Sequence, residues 1–491
     1  MPYPHLLKKR YQGDSMQKVR VRFAPSPTGY LHLGSLRTAL YDFVYARKTG
    51  GDFILRIEDT DQTRLVEDSV DNLITSLKVL GIDYDEGPHK DGGFGPYFQS
   101  QRLPLYMKHA LELIEKGHAY YCFCSKETLD EMRKEQTGTH HNMKYDGRCS
   151  RLSKEEINRR LANGEPHVIR MKVPENRSFV FDDVIRGRVE IESELVDDQV
   201  IIKSDGFPTY HLAAVVDDHY MEITHVIRGE EWLSSTPKHI FLHESLGWTP
   251  PQWVHLPLLL GTDRSKMSKR QGDVAVESYL EKGYVKEAII NFVALLGWHP
   301  AGDKEIFSLE EMIQEFDFEH VNKAGAIFDV TKLDWMNGQY IRTLPLEYIA
   351  ELSERYFIAK GFDISDRKKY LKVVDKSRNY VSILSLITDY AARFYNFPQI
   401  QEADKEFIQS ESSQTVLKFF CSELAAKGEW NKEEVAALVT KGIETLGIKG
   451  KQYYQPLNLG FWGETSGPDI PTAIDILGAT ETIRRFQAII I

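Results

Sequence analysis

Cysteine is almost missing from this chain, and four in 491 residues are too few for a disulfide framework. Long apolar runs are missing as well. No stretch approaches the roughly 18 uninterrupted apolar residues that span a bilayer, so the sequence contains no candidate transmembrane helix and no membrane partner is expected. The first thirty residues lack the charged start, apolar middle and small-residue cleavage site of a signal peptide. The cytoplasm is the expected address. Positive charge is in deficit, since 61 Lys and Arg against 72 Asp and Glu leave a formal net charge of -11. That balance counts against nonspecific coating of nucleic acid, which needs clustered cations to neutralise phosphates. One shaped nucleic acid met by local patches remains compatible with it. Repeats and low-complexity tracts are also absent, and the length exceeds one core of ordinary size, so several compact units are expected.

Residues 1–15 carry Lys8, Lys9 and Arg10 without periodicity and read as a flexible extension. Patterned sequence begins after Met16. Lys18 to Ala24 (KVRVRFA) alternates with period two and runs into the turn formers Pro25 to Gly29 (PSPTG), a strand followed by a loop. Leu36, Leu40, Phe43 and Val44 then recur near helical spacing until Gly50 and Gly51 stop the helix. A second strand, Phe53 to Ile57, ends in Glu58, Asp59, Thr60 and Asp61. Strand, helix, strand predicts a doubly wound parallel sheet of the Rossmann type, in which ligands sit beyond the carboxyl ends of the strands and helix amino-termini face anions. His32 and Gly34 lie where the first helix begins. Taken singly, a histidine beside glycine at a helix start is a cap; as a site, glycine lets backbone approach a phosphate and the imidazole donates to it.

Far along the chain, Arg264 to Gly272 (RSKMSKRQG) is basic, interleaved with Met267 and Ser268 and bracketed by Gly261 and Gly272, as an anion-binding loop would be. Two weak motifs suited to one active site reinforce each other. Pro25 to Gly34 (PSPTGYLHLG) resembles the first nucleotide-binding motif of class I aminoacyl-tRNA synthetases, and Lys266 to Arg270 (KMSKR) resembles the second. RFAPSPTG at 22–29, RIEDTD at 56–61, FPTYHL at 207–212 and HVIRGEEW at 225–232 resemble the glutamyl branch of that family. The likeness continues through QPLNLG at 455–460 and SGPD at 466–469, and so covers nearly everything after Met16.

The resemblance implies activation of L-glutamate by ATP, with Mg²⁺ accompanying the nucleotide, and transfer to the 3′ end of tRNA(Glu), with tRNA(Gln) left open as a second acceptor. The substrate's α-carboxylate is already ionised at pH 7, so attack on the α-phosphorus needs no general base, and catalysis reduces to positioning and charge neutralisation. By resemblance His32, Lys266, Lys269 and Arg270 serve that chemistry, and His32, Gly34, Glu231, Leu259 and Lys269 bind ATP. Arg22 and Tyr210 are implied for the side-chain carboxylate, Glu58 and Ser26 for the amino group, and Arg228 for the α-carboxylate, with Ala24 and Trp232 completing the pocket. An arginine fork suits a carboxylate far better than an amide. The alternative makes Arg56 a surface salt-bridge partner of Glu58 or Asp59. Position 214 is alanine, where some relatives offer a polar contact.

The expected organisation is a catalytic domain of residues 16–100 and 205–260, and an insertion of residues 101–204 that by resemblance receives the acceptor end of tRNA. A nucleotide loop with a connecting helical unit (261–345) and a helical anticodon-binding region (346–491) follow, the whole an expected monomer. Within the insertion, His167 to Lys172 and Ser178 to Phe181 read as strands. Cys122 and Cys124 share a face if extended, and Cys149 follows, a spacing that suggests one structural Zn²⁺. Relatives with zinc often place histidine two residues after the third cysteine, but this chain has Arg151. Tyr145, or else His140 or His141, would complete the shell; three reduced thiols are the alternative. In the helical end, the basic stretches at 367–369, 376–378 and 449–451 are expected to be available to phosphates, and Tyr453 and Tyr454 to unpaired bases.

Overall fold

The computed structural model describes residues 17–136, 144–266 and 275–491. Contacts divide the chain into two units. One comprises residues up to Leu280 with Lys286–Val330, the other Glu281–Val285 with Thr331–Ile491.

In the first unit, β1 (Arg20–Phe23) leads through the PSPTG loop into α1 (Leu33–Thr49) and on to β2 (Asp52–Leu55). Gly50 ends α1 in the left-handed conformation (φ 65°), with its N–H closing on the carbonyls of Ala46 and Arg47, the helix stop that glycine tolerates best. Next come α2 (Ser69–Val79), α3 (Leu103–Glu115), β3 (Ala119–Cys122), α4 (Lys126–Gln136), α5 (Lys154–Ala162), β4 (Val168–Met171), β5 (Ser178–Asp183), β6 (Gly187–Glu192) and β7 (Val200–Ile202). Then α6 (Tyr210–Tyr220), β8 (His225–Gly229), α7 (Thr236–Leu246) and β9 (Gln252–Leu256) return to the strand-helix alternation.

Strand β1 pairs parallel with β2, and β8 with β9. The pairs adjoin where the Thr224 N–H donates to the Arg20 carbonyl at 2.9 Å and the Arg20 N–H donates to Thr224 Oγ1 at 2.9 Å. Helix α1 packs on β1, β2 and β8. Parallel pairing sends the carboxyl ends of these strands to one edge, which is what the doubly wound reading requires. All four residues of β1 are buried, whereas the KVRVRFA alternation suggested a polar face. A parallel sheet is covered on both sides, and the polar side of β1 is satisfied by buried carboxylates: Glu86 accepts from Arg20 at 2.7 Å and Asp218 accepts from Arg22 at 3.0 Å.

The expected insertion is less separate than its sequence suggested. Strands β3, β4 and β7 form their own antiparallel sheet, but the β5–β6 hairpin joins β9 through the Asp183–Trp253 pairing and so extends the nucleotide sheet. One apolar core runs through both parts, bringing Ile169, Met171 and Ile201 together with Leu212, Val216, Val226 and Trp253. The short parallel pair Leu259–Leu260 with Ala326–Ile327 interrupts the helical character expected after residue 275. Residues 286–330, expected in a connecting unit, group with the first unit.

The second unit is helical. Leu346–Ala359, Arg367–Ser377 and Ile387–Tyr395 meet around Phe357, Tyr370, Val374 and Phe394, all fully buried. Glu411–Ala425, Lys432–Leu446, Lys451–Trp462 and Ile470–Gln487 form a further bundle. Its ends are set by local chemistry. Asn431 and Glu434 form a reciprocal capping box, and Asp469 caps the last helix through the Thr472 N–H at 2.9 Å. One expectation fails here. Tyr453 is fully buried against Phe420 and donates its hydroxyl to the Val439 carbonyl at 2.8 Å, so its ring belongs to the core and is closed to bases; Tyr454 is 41% exposed. The basic stretches are also partly neutralised: Arg367 pairs with Glu354 at 2.6 Å and Arg378 with Asp375 at 2.7 Å, while Lys449 and Lys451 stand exposed.

Replacing a buried aromatic by alanine costs about 3–5 kcal/mol, and an exposed substitution about 0.5 or less. Tyr453→Ala is therefore expected to lower the denaturant resistance of the helical unit in the full chain, and Tyr454→Ala to leave it nearly unchanged. Circular dichroism during urea unfolding checks both, and equal effects would contradict the assignment of Tyr453 to the core.

Candidate active site

A cavity of about 880 Å³ opens at the carboxyl ends of β1, β2 and β8. Its wall takes Arg22, Ala24 and Ser26 from the end of β1 and the loop after it, His32 and Gly34 from the start of α1, and Glu58 from just beyond β2. Tyr210 at the first residue of α6, Arg228 and Glu231 with Trp232 at and after the end of β8, Leu259 and Lys266 complete it. Residues 244 positions apart in sequence, Arg22 and Lys266, thus share one cavity. Lys269 and Arg270 lie outside the described residues, as do His140 and His141.

His32 is the N-cap of α1: its Nδ1 accepts from the Ser35 N–H at 3.2 Å, and its Nε2 lies 2.8 Å from Ser35 Oγ. The cap role and the cavity position coexist in one side chain. A Cβ on Gly34 would come within 3.2 Å of the His32 Nδ1 and 3.5 Å of a Leu259 methyl, tighter than most Cβ atoms tolerate on the imidazole side. Glycine is therefore what lets the ring fold back over the helix start. The first turn of α1 contains no acidic residue, so no charge within the turn offsets the positive end of the helix dipole.

Beneath the cavity wall one buried carboxylate organises two arginines. Asp218 Oδ1 accepts from Arg22 Nε at 3.0 Å and from Arg56 Nη1 at 2.7 Å. Burial favours the protonated form of Asp218, but Arg22 and Arg56 hold its pKa below the ordinary carboxylate value. Arg22 also donates through Nη1 to the Ile227 carbonyl at 3.4 Å. This leaves the Nη2 side without a hydrogen-bond partner among the described residues and next to the cavity. Arg56 is fully buried and reaches Glu58 Oε1 at 3.2 Å with Nη2. The expected alternative holds in its pairing of Arg56 with Glu58 and fails in its placement, since the pair is buried. Burial raises the Glu58 pKa to about 7, outweighing Arg56 and Arg22, which both lower it.

Arg228 is held differently, with every N–H of its guanidinium engaged. Nε donates to His255 Nε2 at 3.0 Å, Nη1 to Tyr210 Oη at 3.1 Å and towards His239 Nδ1 at 3.3 Å, and Nη2 to Thr236 Oγ1 at 2.9 Å and the Trp232 carbonyl at 3.4 Å. The Tyr210 and Trp232 rings lie 4.4 Å apart, centroid to centroid, and form an aromatic corner beside this guanidinium. His239 is buried and its pKa lies well below the usual imidazole value, first because of burial and then because of Arg228.

Away from the cavity, the Sγ atoms of Cys122, Cys124 and Cys149 all lie within 4.8 Å of one another, and Cys124 and Cys149 are 3.6 Å apart. Tyr145 Oη lies 3.4 Å from Cys122 Sγ and 3.2 Å from Cys124 Sγ. Arg151 is exposed on the surface.

Comparison with known proteins narrows what the cavity belongs to. Residues 18–335 match the family model described as tRNA synthetases class I (E and Q), catalytic domain, and residues 347–490 match one described as anticodon binding domain. A glutamate–tRNA ligase of Alkaliphilus metalliredigens is 45% identical over 490 residues, covering 96% of this chain and 99% of that protein. One of Clostridioides difficile is 42% identical over 483 residues, covering 95% and 98%. Among solved structures, a glutamate tRNA ligase from Elizabethkingia meningosepticum in complex with its amino acid matches with a TM-score of 0.89 and 37% identity, covering 96% of this chain and 99% of that one. The chain belongs to the glutamate–tRNA ligases.

Several residues behind the cavity wall of this family member escaped the sequence reading. Asp218, His239, Thr236, His255 and Asp183 all shape its arginines, yet none stands in a motif. A signal existed for Asp218: two adjacent carboxylates end an otherwise apolar run, HLAAVVDD at 211–218, and charges on a buried helix face are almost always paired. Among the described residues no helix is long and apolar enough to cross a membrane.

Proposed function

We propose that the cavity of this ligase activates L-glutamate with ATP and passes the glutamyl group to the 3′ end of tRNA(Glu) in the cytoplasm. The observation that carries the reading is Arg22. Its charge is fixed by Asp218 on one side while its Nη2 edge faces the cavity without a partner among the described residues. That edge matches the planar side-chain carboxylate of glutamate, with the Tyr210 hydroxyl beside it. Glu58 and Ser26 take the ammonium group, and its arrival offsets the burial that pushes the Glu58 carboxyl up. Arg228 takes the α-carboxylate through Nη1, exchanging its contacts with Tyr210 and His239 for the substrate. Ala24 and Trp232 close the pocket around the side chain.

ATP, with its Mg²⁺, then lies over the start of α1. His32 and Gly34 line the phosphates, Glu231 and Leu259 flank the nucleotide, and Lys266, Lys269 and Arg270 neutralise charge on the transferring phosphate and the departing pyrophosphate. Attack by an ionised α-carboxylate needs no proton removed, so positioning dominates the rate. ATP–pyrophosphate exchange is expected with glutamate when tRNA(Glu) is present and not with glutamine. Exchange driven by glutamine, or none with glutamate plus tRNA(Glu), would overturn the reading, and parallel charging assays with tRNA(Gln) define the acceptor range.

The cysteine cluster supports a structural Zn²⁺. Tetrahedral zinc at about 2.3 Å from each thiolate separates sulfurs by roughly 3.8 Å, and the 3.6 Å between Cys124 and Cys149 matches that edge. Tyr145 is the fourth donor by position, since its hydroxyl adjoins the thiols whereas Arg151 points to solvent. A closed protein shell of this kind ties β3 to the segment around Cys149 and leaves no vertex for substrate. Purified protein is expected to hold one zinc per chain by elemental analysis and to lose it on Cys124→Ala. Protein that is folded and active without stoichiometric metal would contradict the site.

A further inference from the structure

We infer that His255 and Asp183, neither of which reaches the cavity, form a buried relay that sets the orientation of Arg228 and thereby which edge of its guanidinium meets the substrate carboxylate. The inference rests on the reading of Arg228 as the α-carboxylate ligand and deepens it by naming two positioning residues.

His255 on β9 is fully buried, and its two ring nitrogens have different partners. Nδ1 lies 2.6 Å from Asp183 Oδ2, and Nε2 lies 3.0 Å from Arg228 Nε. An arginine nitrogen can only donate and a carboxylate can only accept. The imidazole therefore carries its proton on Nδ1 and turns the Nε2 lone pair to Arg228, because any other arrangement sets donor against donor or acceptor against acceptor. Asp183 is itself fixed. Its Oδ2 accepts the His255 backbone N–H at 3.1 Å, and its Oδ1 accepts the N–H groups of Ile185 at 3.0 Å and Arg186 at 2.7 Å. The carboxylate thus sits in a turn at the end of β5, pinned to the strand that carries the imidazole.

The relay fixes the Nε edge of Arg228, and Thr236 at 2.9 Å with the Trp232 carbonyl at 3.4 Å fixes Nη2. The contacts that remain are those of Nη1 with the Tyr210 hydroxyl and with His239. Of these two partners, His239 is buried and Tyr210 lines the cavity itself. Anchoring at Nε and Nη2 therefore leaves Nη1 as the edge that can change partners, and a carboxylate arriving there meets a guanidinium already held in plane. Without the relay Arg228 keeps its charge but loses its orientation. This predicts a defect confined to glutamate.

The test compares His255→Phe, which keeps the ring volume but offers no acceptor, with His255→Gln, whose amide oxygen can reach the Nε2 position. Aminoacylation kinetics are measured on the full chain, with thermal unfolding as a check on folding. A hydrogen bond to a charged group contributes about 1.5–3 kcal/mol, so His255→Phe is expected to raise the KM for glutamate about 10- to 100-fold while the KM for ATP stays within about 3-fold. His255→Gln is expected to restore most of the glutamate KM. Equal losses for glutamate and ATP, failure of glutamine to restore, or an unchanged glutamate KM in folded His255→Phe would overturn the relay. Arg228→Ala separates the two levels. If it raises the glutamate KM while His255→Phe does not, the relay falls and the reading of Arg228 stands; if Arg228→Ala leaves the glutamate KM unchanged, that reading falls and the relay with it.

Discussion

One buried carboxylate, Asp218, carries two arginines. Arg22 and Arg56 stay charged when buried, and without a counter-charge each would cost several kcal/mol even after relaxation. Asp218 meets them at 3.0 and 2.7 Å and so offsets that cost under the cavity. Arg56 is turned inward by the pair and spends its remaining reach on Glu58 at 3.2 Å. Arg22 is turned the other way. A pocket for a doubly anionic, singly cationic amino acid needs this split, with one arginine free to meet a ligand and another consumed in holding an acidic residue in place.

The fold explains why such a cluster can exist. Strand β1 delivers Arg22, β2 delivers Arg56 and Glu58, α6 delivers Asp218, and β8 delivers Arg228. Parallel strands put these ends on one edge of the sheet, and the short PSPTG loop leads directly into α1, whose amino-terminus is capped by His32. The cluster binds one end of the substrate and the helix start offers positive potential to phosphate, so the two reactants are expected to meet between them. The β5–β6 hairpin adds a less obvious support, because Asp183 reaches β9 and fixes His255 behind Arg228.

Much of this was legible in the sequence. The period-two run at 18–24, the turn formers after it and the helical spacing up to Gly50 placed β1, the loop and α1, and every described residue expected in the pocket lines one cavity. What was not legible depends on long-range pairing. The alternation in KVRVRFA gave no sign that its arginines are buried, because the carboxylates that neutralise them, Glu86 and Asp218, lie 66 and 196 positions away. The hairpin at 178–192 read as part of an insertion because a single parallel contact with Trp253, invisible to local pattern, places it on the main sheet. Tyr453 and Tyr454 are adjacent in sequence and chemically identical, yet helix phase buries one and exposes the other. His255 and Asp183 lack any motif, since their role is fixed only by the geometry of Arg228.

The central claim is that Asp218 acts on glutamate through Arg22 while touching no substrate. The glutamate KM of Asp218→Asn, measured beside its ATP KM in protein shown by circular dichroism to be folded, tests this most directly. The account predicts a rise of about 10-fold or more for glutamate, the scale of one lost charge-assisted hydrogen bond, with the ATP KM little changed. A folded Asp218→Asn enzyme with the glutamate KM of the parent would contradict it.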